Sequence, residues 1–217
     1  MRTRIALNLK GVAYEFLPQI YGTKRELVAK YNPVYKKIPV LLHKGKPLAE
    51  SMIIVEYIDE VWSSTAPLLP TDPYDRAVER FWTTYFDDKW FSSLKAAAIL
   101  ADKEEEKATA TEYVFTVLHQ LGEAFRSCSK GKDFFGGDTI GYLDIAVGSH
   151  LGWLTASEKM TGIKFLNEEK TPGLLRWAER FCSHSAVKEL MPKTENLIEF
   201  AHLLRAKLKA EADARGK

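Results

Sequence analysis

Three prolines within eight residues, at positions 66–73, separate two stretches of this 217-residue chain that follow different patterns. Proline fixes its own backbone angle and cannot continue a helix or an interior strand, so such a cluster predicts a stiff linker. Apolar residues before the cluster occur in short runs of mixed period, whereas those after it recur with helical spacing. The sequence therefore predicts two domains, residues 1–66 and 76–217, joined by a linker at residues 67–75.

The first domain is predicted to mix helices and strands. Apolar spacing and end signals predict helices over residues 2–10, 24–31 and 51–60. Apolar runs predict strands over residues 12–17, 38–42 and 47–49, the last two joined as a hairpin by a turn at residues 44–47. The second domain is predicted to be all-α, with helices over residues 75–100, 113–125, 142–154, 173–181 and 195–208 and a solvated charge run at 104–107.

Composition excludes several classes of protein. Lys and Arg number 31 against 29 Asp and Glu, and a net charge of +2 leaves no excess positive charge for nucleic acid or a membrane surface. Two cysteines without CxxC spacing and five scattered histidines give no pattern typical of a disulfide scaffold or a metal site. With few cysteines and no signal-peptide pattern at the N-terminus, we expect a cytoplasmic protein without a bound metal.

Two features of the first domain predict groups that can bind a small molecule. Pro39 opens a strand after Ile38; a cis bond there would free the Ile38 backbone to pair with an extended peptide, while an ordinary trans proline at a strand edge fits equally well. Ser51 is a favoured helix N-cap and needs no function as such, yet a hydroxyl at a helix N-terminus also binds carboxylates. Because Glu50 can accept from an ammonium group, the pair can hold the head group of an α-amino acid.

Three lysines precede the strands and can reach a carboxylate, although solvated surface lysines are the usual case. They are Lys24, Lys36 and Lys37.

These features stand in a series of blocks that resembles the plant tau class of glutathione transferases. The blocks are Arg-Ile-Ala-Leu (4–7), Lys-Gly-Val (10–12), Lys-Tyr-Asn-Pro-Val (30–34), Lys-Lys-Ile-Pro-Val-Leu (36–41), Gly-Lys-Pro-Leu-Ala-Glu-Ser (45–51), Glu-Tyr-Ile-Asp-Glu-Val-Trp (56–62), Leu-Leu-Pro-Thr-Asp-Pro-Tyr (68–74) and Phe-Phe-Gly-Gly-Asp (134–138). The resemblance covers essentially the whole chain. It implies the glutathione transferase fold, an α/β thioredoxin-like N-terminal domain followed by an all-α C-terminal domain. It also implies conjugation of glutathione to hydrophobic electrophiles, as in detoxification, by a homodimer that packs the first domain of one subunit against the second domain of the other.

The resemblance also implies roles for individual residues. Ile38 would pair its backbone with the cysteinyl residue of glutathione, and Glu50 and Ser51 would hold the γ-glutamyl group. Lys24 and Lys37 would face the glycyl carboxylate. The pocket for the hydrophobic electrophile would be lined by Phe91, Lys95, Trp153, Phe200 and Leu204. Glutathione is the co-substrate in this scheme, and no cofactor is implied.

The sequence departs from the family pattern at its beginning. In that pattern an apolar strand and a Ser-Pro-Phe turn precede the first helix, and the serine stabilises the glutathione thiolate, lowering the thiol pKa from about 8.5 toward neutrality. Here Met1 already lies within that helix, and Thr3, the nearest hydroxyl, comes a turn too late. We therefore expect a truncated first domain that lacks the family's first strand, no catalytic residue among those present, and impaired conjugation. A fragment, an alternative start, a non-catalytic relative and a rearranged first domain are all consistent with the sequence.

Two rival functions follow from the same two domains. One is a non-catalytic carrier, or ligandin, of flat hydrophobic molecules, which the 12% aromatic content fits as well as it fits an enzyme. The other is a regulatory domain of a translation or channel protein.

Overall fold

The computed structural model describes residues 1–19, 26–101 and 103–215. The first part contains helices α1 (Arg2–Leu9), α2 (Glu26–Tyr31) and α3 (Ser51–Val61) and strands β1 (Val40–His43) and β2 (Lys46–Ala49). The second contains α4 (Pro73–Lys95) with a π-helical extension (Ala96–Leu100), α5 (Glu104–Ser129), α6 (Tyr142–Gly148), α7 (Leu151–Thr161), α8 (Pro172–Ser183), a 3-10 turn (Lys188–Leu190) and α9 (Thr194–Arg215). A small α/β domain therefore precedes an all-α domain, as predicted.

Helix α1 ends at a glycine, as its sequence predicts. Gly11 has a φ of +64°, a conformation that glycine adopts without the steric cost of a Cβ. Its N–H donates to the carbonyl of Asn8 at 3.1 Å, and the Val12 N–H donates to the carbonyl of Leu7 at 2.9 Å. This is a Schellman motif, and it turns the chain sharply away from the buried face of α1.

The predicted hairpin is present as an antiparallel pair, with Val40 opposite Ala49 and His43 opposite Lys46. The two turn residues, Lys44 and Gly45, have φ values of 50° and 76°. Positive φ at both central positions matches the twist of the flanking strands, so this short turn sets the register.

The strand predicted over residues 12–17 is wrong, because the structure assigns no strand there. A strand exists only when its backbone N–H and C=O groups pair with a neighbour, and in the described residues β1 pairs with β2 alone. The segment is instead held by side chains: the Nε of Arg4 donates to the Tyr14 hydroxyl at 3.2 Å, and the Arg4 guanidinium lies 4.1 Å from the centre of the Phe16 ring.

In the helical domain one prediction is confirmed and one is corrected. The charge run at 104–107 is solvated as predicted, with its three glutamates exposed, and it forms the first turn of α5, where acidic side chains suit the positive end of the helix dipole. The single helix predicted over residues 142–154 is broken into α6 and α7 at Ser149 and His150. The break follows Gly148, where a Cβ would lie only 2.3 Å from the ring of Phe181.

The segment between the domains is held by hydrogen bonds to both of them. Asp59, on α3, accepts from the backbone N–H of Leu68 at 2.8 Å and of Leu69 at 3.1 Å, and it pairs with the buried Lys10 at 2.7 Å. The Leu68 carbonyl in turn accepts from the N–H of Tyr142, the first residue of α6, at 2.8 Å. Helix α4 already begins at Pro73, inside the predicted linker, and the domain boundaries given above remain predictions.

Asp144 organises the start of α6 from a fully buried position. Its carboxylate accepts from the backbone N–H of Phe135, Gly136 and Gly141 at 2.8–2.9 Å and from the indole Nε1 of Trp177 at 2.6 Å. Burial raises the pKa of Asp144 to about 6 in spite of these donors. Across the described residues, none of the helices combines the length and apolar character needed to cross a membrane.

Candidate functional site

The segment that leads into β1 leaves its backbone open. The Ile38–Pro39 peptide bond is cis. The Ile38 side chain is 55% exposed, and among the described residues none forms a hydrogen bond with the Ile38 backbone. The N–H and C=O of Ile38 thus have no partner within the described residues, and their pairing with an extended ligand stays a prediction.

Asn32 holds this segment in place, a role that sequence reasoning missed. Its side chain is buried, its Nδ2 donates to the Lys37 carbonyl at 3.0 Å, and its Oδ1 accepts from the Tyr35 N–H at 3.2 Å. The Asn32 carbonyl also accepts from the N–H of Lys36, which has a φ of 52°. One amide therefore fixes both ends of the loop before Ile38. The signal in the sequence is the Asn32-Pro33 pair, which indicates the end of the helix predicted over residues 24–31 but not this role.

Ser51 lies at the beginning of α3 but does not cap it, so that prediction is wrong. The N-cap is Glu50, with a φ of 70°, and Ser51 is the first helical residue. The Ser51 Oγ accepts from Nη1 of Arg2 at 3.3 Å instead of bonding the helix backbone. Glu50 is exposed beside it. The Ser51 hydroxyl, the Arg2 guanidinium and Glu50 thus lie together at the N-terminus of α3.

Arg2 is the residue that joins this corner to the second domain, and its role was not foreseen from the sequence. Its guanidinium is buried and binds Asp87 of α4 through both nitrogens, with Nη1 2.9 Å from Oδ2. It also donates to the Ala146 carbonyl at 2.9 Å, and its Nε donates to the Ser149 Oγ at 3.1 Å. A positive charge is therefore fixed next to Ser51.

Of the two lysines expected to face the glycyl carboxylate, the structure describes only one. Lys37 is exposed, and its carbonyl is the one that Asn32 holds. Lys24 lies outside the described residues. Thr3, the nearest hydroxyl in α1, is buried, and its Oγ1 finds no hydrogen-bond partner in the described part of the chain.

Three of the predicted pocket residues form one aromatic cluster at the junction of α4, α7 and α9. The ring centres of Phe91 and Trp153 are 5.6 Å apart, and those of Trp153 and Phe200 are 6.0 Å apart, both edge-to-face. All three rings are half-buried. Lys95 and Leu204 each lie one helical turn beyond this cluster, on α4 and α9. We refer to Phe91, Trp153 and Phe200 as the aromatic cluster.

His150 lies between Arg2 and the aromatic cluster. Its ring centre is 6.4 Å from that of Phe91 and 5.2 Å from that of Phe86. Its Nδ1 is 3.1 Å from the Ser149 Oγ, which Arg2 also contacts. Burial first, and the charge of Arg2 second, lower the pKa of His150 to about 4, so the imidazole is neutral at physiological pH.

Groups that could bind a metal ion are not found together. Within residues 1–19, 26–101 and 103–215, no three His, Cys, Asp or Glu side chains are placed to hold an ion. Cys128 and Cys182 are both free thiols. Burial raises the pKa of Cys128 to about 12, so this thiol is not an anion near neutral pH.

Comparisons with known proteins show the family to which the chain belongs. The family model of the glutathione S-transferase N-terminal domain matches residues 1–60, and that of the C-terminal domain matches residues 74–185. Glutathione S-transferase U18 of Arabidopsis thaliana is 54% identical over 211 residues, covering 97% of this chain and 92% of that protein. Glutathione S-transferase U17 of the same plant is 55% identical over 206 residues, covering 93% and 88%.

Solved structures give the same result. The tau-class glutathione S-transferase of mango, Mangifera indica, superposes with a TM-score of 0.90 at 56% identity, covering 94% of this chain and 92% of that one. Rice OsGSTU1, solved in complex with glutathione, superposes with a TM-score of 0.84 at 32% identity, covering 95% and 91%. A thioredoxin-like domain with a small sheet, followed by a helical domain, is the glutathione transferase fold. The chain belongs to the glutathione S-transferase family, within its plant tau class.

Proposed function

We propose that this chain binds glutathione along the first domain and presents its sulfur to a hydrophobic electrophile held by the second. The observation that supports this most strongly is the arrangement around Ser51. A γ-glutamyl carboxylate there would accept from the Ser51 hydroxyl beside the fixed charge of Arg2, and the exposed Glu50 would accept from the γ-glutamyl ammonium. The relative that was solved with glutathione, rice OsGSTU1, supports the choice of ligand.

The remaining glutathione contacts follow along the same edge. The open backbone of Ile38 would pair with the cysteinyl residue, which fixes the direction of its side chain. Lys37, and Lys24 beyond the described residues, would face the glycyl carboxylate. Contacts to all three residues of the tripeptide would orient the sulfur rather than only anchor one end.

The chemical step joins the sulfur of glutathione to an electrophilic carbon. The thiol gives up its proton, the sulfur lone pair forms the new C–S bond, and the leaving group departs with its bonding electrons. The aromatic cluster, with Lys95 and Leu204 at its border, would hold a flat apolar electrophile beside the sulfur. Detoxification of such compounds in the cytoplasm is the role we propose.

We further propose that these 217 residues, taken alone, bind glutathione but conjugate it slowly. In the family pattern the serine that stabilises the thiolate precedes α1, and the described hydroxyl nearest to it in the sequence, that of Thr3, is buried. A donor aimed at a bound anion typically contributes about 100- to 1,000-fold in rate. Without one, the reaction depends on the small fraction of glutathione that ionises at its ordinary pKa of about 8.5.

The test compares these 217 residues with a version extended upstream by a strand and a Ser-Pro-Phe turn. Turnover of a chloronitrobenzene is followed from pH 6 to 9. We expect the shorter chain to be slower by at least about 100-fold at pH 6.5 and to gain rate up to about pH 8.5. Equal rates at pH 6.5 would mean that another group activates the thiol, and Thr3→Ala would be the first variant to examine.

A second function, the carrier, rests on the same aromatic cluster. Half-buried rings from three helices make a surface for a flat molecule whether or not chemistry follows. Glutathione-dependent turnover by the extended chain separates the two functions, because a carrier binds the electrophile without consuming glutathione. Retention on immobilised glutathione separates both from a regulatory domain.

A Ser51→Ala variant tests the head-group site directly. Ser51 makes no hydrogen bond to the backbone of α3, so the free energy of unfolding should change little. The affinity for glutathione should fall by about 10-fold or more, since a hydrogen bond to a charged group contributes about 1.5–3 kcal/mol. Calorimetry gives the affinity, and Ser92→Ala on the exposed face of α4 is the control. Unchanged affinity would remove Ser51 from the site.

A further inference from the structure

We propose that His150 is a specificity-determining residue, whose Nε2 accepts a hydrogen bond from electrophiles that carry a hydroxyl or N–H group. This inference rests on the pocket of the proposed function, and it names the polar feature that the pocket recognises. It follows from the position of His150, from the proton on its ring and from its charge.

The position of His150 results from the break between α6 and α7. Two residues outside regular helix place the imidazole edge-on to Phe86 and 6.4 Å from Phe91. Trp153 follows one turn later on α7 and packs against the same Phe91. The half-buried His150 is therefore a polar group beside the aromatic cluster.

The hydrogen bonds around Ser149 determine which ring nitrogen carries the proton. The Ser149 hydroxyl has one proton, and it donates that proton to the Ala146 carbonyl at 3.0 Å. Its oxygen must then act as the acceptor toward the Nε of Arg2 at 3.1 Å and toward the Nδ1 of His150 at 3.1 Å. Nδ1 is also 3.3 Å from the Ala146 carbonyl, which can only accept. Nδ1 is therefore the protonated nitrogen.

The other nitrogen, Nε2, is then a lone-pair acceptor on the opposite side of the ring from this bonded corner. It has no hydrogen-bond partner among the residues that the structure describes. A ligand that covers Nε2 displaces water from it, so an apolar ligand leaves this acceptor unsatisfied at a cost in free energy, whereas a ligand donor replaces the lost hydrogen bond. The pocket should therefore favour a donor-bearing ligand over an apolar ligand of the same shape.

The charge of the imidazole is set by the groups that face it. Burial and the guanidinium of Arg2 keep the proton off Nε2, and the Met1 amino group acts in the same direction. The hydrogen bond to the Ala146 carbonyl and then the charge of Asp87 act in the opposite direction, and Asp87 is already bound to Arg2. A neutral ring keeps its lone pair free near pH 7, so His150 accepts rather than donates through Nε2.

The experiment uses two ligands of nearly equal shape, 2-naphthol and 2-methylnaphthalene. Their dissociation constants are measured by calorimetry at pH 7 with glutathione present. The variants are His150→Phe, which removes the acceptor, and His150→Gln, which keeps one. His119→Phe, an exposed histidine on α5, is the matched control.

We expect the affinity ratio of 2-naphthol to 2-methylnaphthalene to fall about two- to tenfold in His150→Phe, the range for one neutral hydrogen bond. The ratio should be unchanged in His119→Phe and intermediate in His150→Gln. Using a ratio cancels changes in packing that affect both ligands, and retained binding of 2-methylnaphthalene shows that the variant is folded. An unchanged ratio in His150→Phe would overturn the inference while leaving the pocket in place.

A measurement on the wild-type chain avoids substitutions altogether. The ¹⁵N resonance of the unprotonated Nε2 should move when 2-naphthol is added and stay in place when 2-methylnaphthalene is added. Equal movement with both ligands would contradict the hydrogen bond. If neither ligand bound at all, the proposed hydrophobic pocket would itself be wrong, and the inference would fall with it.

Discussion

Arg2 in the first domain and Asp87 in the second form a two-point ion pair, with Nη1 of Arg2 2.9 Å from Oδ2 of Asp87. Planar guanidinium and carboxylate groups match in this geometry, which fixes orientation as well as distance. The same guanidinium reaches the Ser51 hydroxyl. Binding of the glutathione head group is therefore expected to depend on Asp87 of α4, although the head group would not contact Asp87.

Replacing Arg2 by Lys should separate charge from geometry. Lysine keeps the positive charge but cannot bind Asp87 through two nitrogens and reach Ser51 at once. We expect the affinity for glutathione to fall by about tenfold, since a hydrogen bond to a charged group contributes about 1.5–3 kcal/mol, together with a lower melting temperature. Arg80→Lys, which alters an exposed two-point pair with Glu56, is the control for calorimetry. Equal losses in both variants would argue against a special role for Arg2.

Asn32→Ala should weaken glutathione binding through the loop before Ile38. Two hydrogen bonds of about 1 kcal/mol each hold that loop, so the KM for glutathione should rise by about five- to thirtyfold. The KM for the electrophile should not move, because the aromatic cluster lies in the other domain. Asn167→Ala is a close control, since the Asn167 side chain also accepts from one loop N–H and donates to one carbonyl, in the second domain. A matching rise in both KM values would point to general destabilisation.

Glu79→Gln should remove a pH dependence of stability. Glu79 is buried in α4, and burial first and Asp144 second raise its pKa from 4.5 to about 8. The folded chain therefore holds a proton that the unfolded chain releases, so the free energy of unfolding falls as pH rises from about 4.5 to about 8. The variant should lose this fall, because an amide does not titrate.

Urea unfolding at pH 6.5, 7.2 and 8 gives the slope of the free energy of unfolding against pH. In this range Asp144 and His150 contribute little to the slope. As pH rises, the raised pKa of Asp144 lowers stability mainly below pH 6, and the lowered pKa of His150 raises it below about 6.5. The Met1 amino group, whose pKa is lowered from 8.0, raises stability up to about pH 8 in the wild type and the variants alike. We therefore expect a more negative slope in the wild type and in Glu112→Gln, an exposed control on α5, than in Glu79→Gln. A slope retained in Glu79→Gln would mean that Glu79 is ionised in the folded chain.

Phe81→Asp should disrupt the dimer that we propose from the family resemblance. Phe81 on α4 and Ile53 on α3 are both 60% exposed, so both domains have an exposed apolar side chain that a partner could cover. In a two-fold dimer every contact occurs twice, and one buried aspartate therefore places two unpaired charges in the interface. Sedimentation at micromolar concentration should show a shift to monomer for this variant. Leu203→Asp on α9 is the control, and monomer in the unmodified chain would contradict the dimer itself.

Features that depend on neighbouring residues could be predicted from the sequence. Gly11 ends α1, and the Lys44–Gly45 turn sets the hairpin, because the required backbone angles favour particular residues locally. The strand at residues 12–17 could not be judged in this way, since a strand depends on a partner elsewhere. The break at Ser149 was missed because an apolar run carries no sign of where a helix must bend around a neighbouring ring.

The candidate site was predictable only in part, for a related reason. Ile38, Glu50 and Ser51 lie within 14 positions of one another, and their residue types suggested a peptide-like ligand. Arg2 meets Asp87 across 85 positions and Ser149 across 147, so nothing in the spacing of the chain connects them. Serine is a favoured helix cap, so the sequence predicts that role for Ser51 as readily as a ligand contact, whereas in the structure its hydroxyl accepts from Arg2.

The anchoring of Leu68 and Leu69 bears on how product leaves. A hinge needs residues that are free to rotate, but the amides of both leucines are bound by Asp59 and the Leu68 carbonyl is bound by Tyr142. Swinging one domain away from the other would break these hydrogen bonds together. Exchange of the bulky conjugate should therefore proceed through fluctuations of side chains and loops at the rim, with the two halves of the molecule moving as a single body.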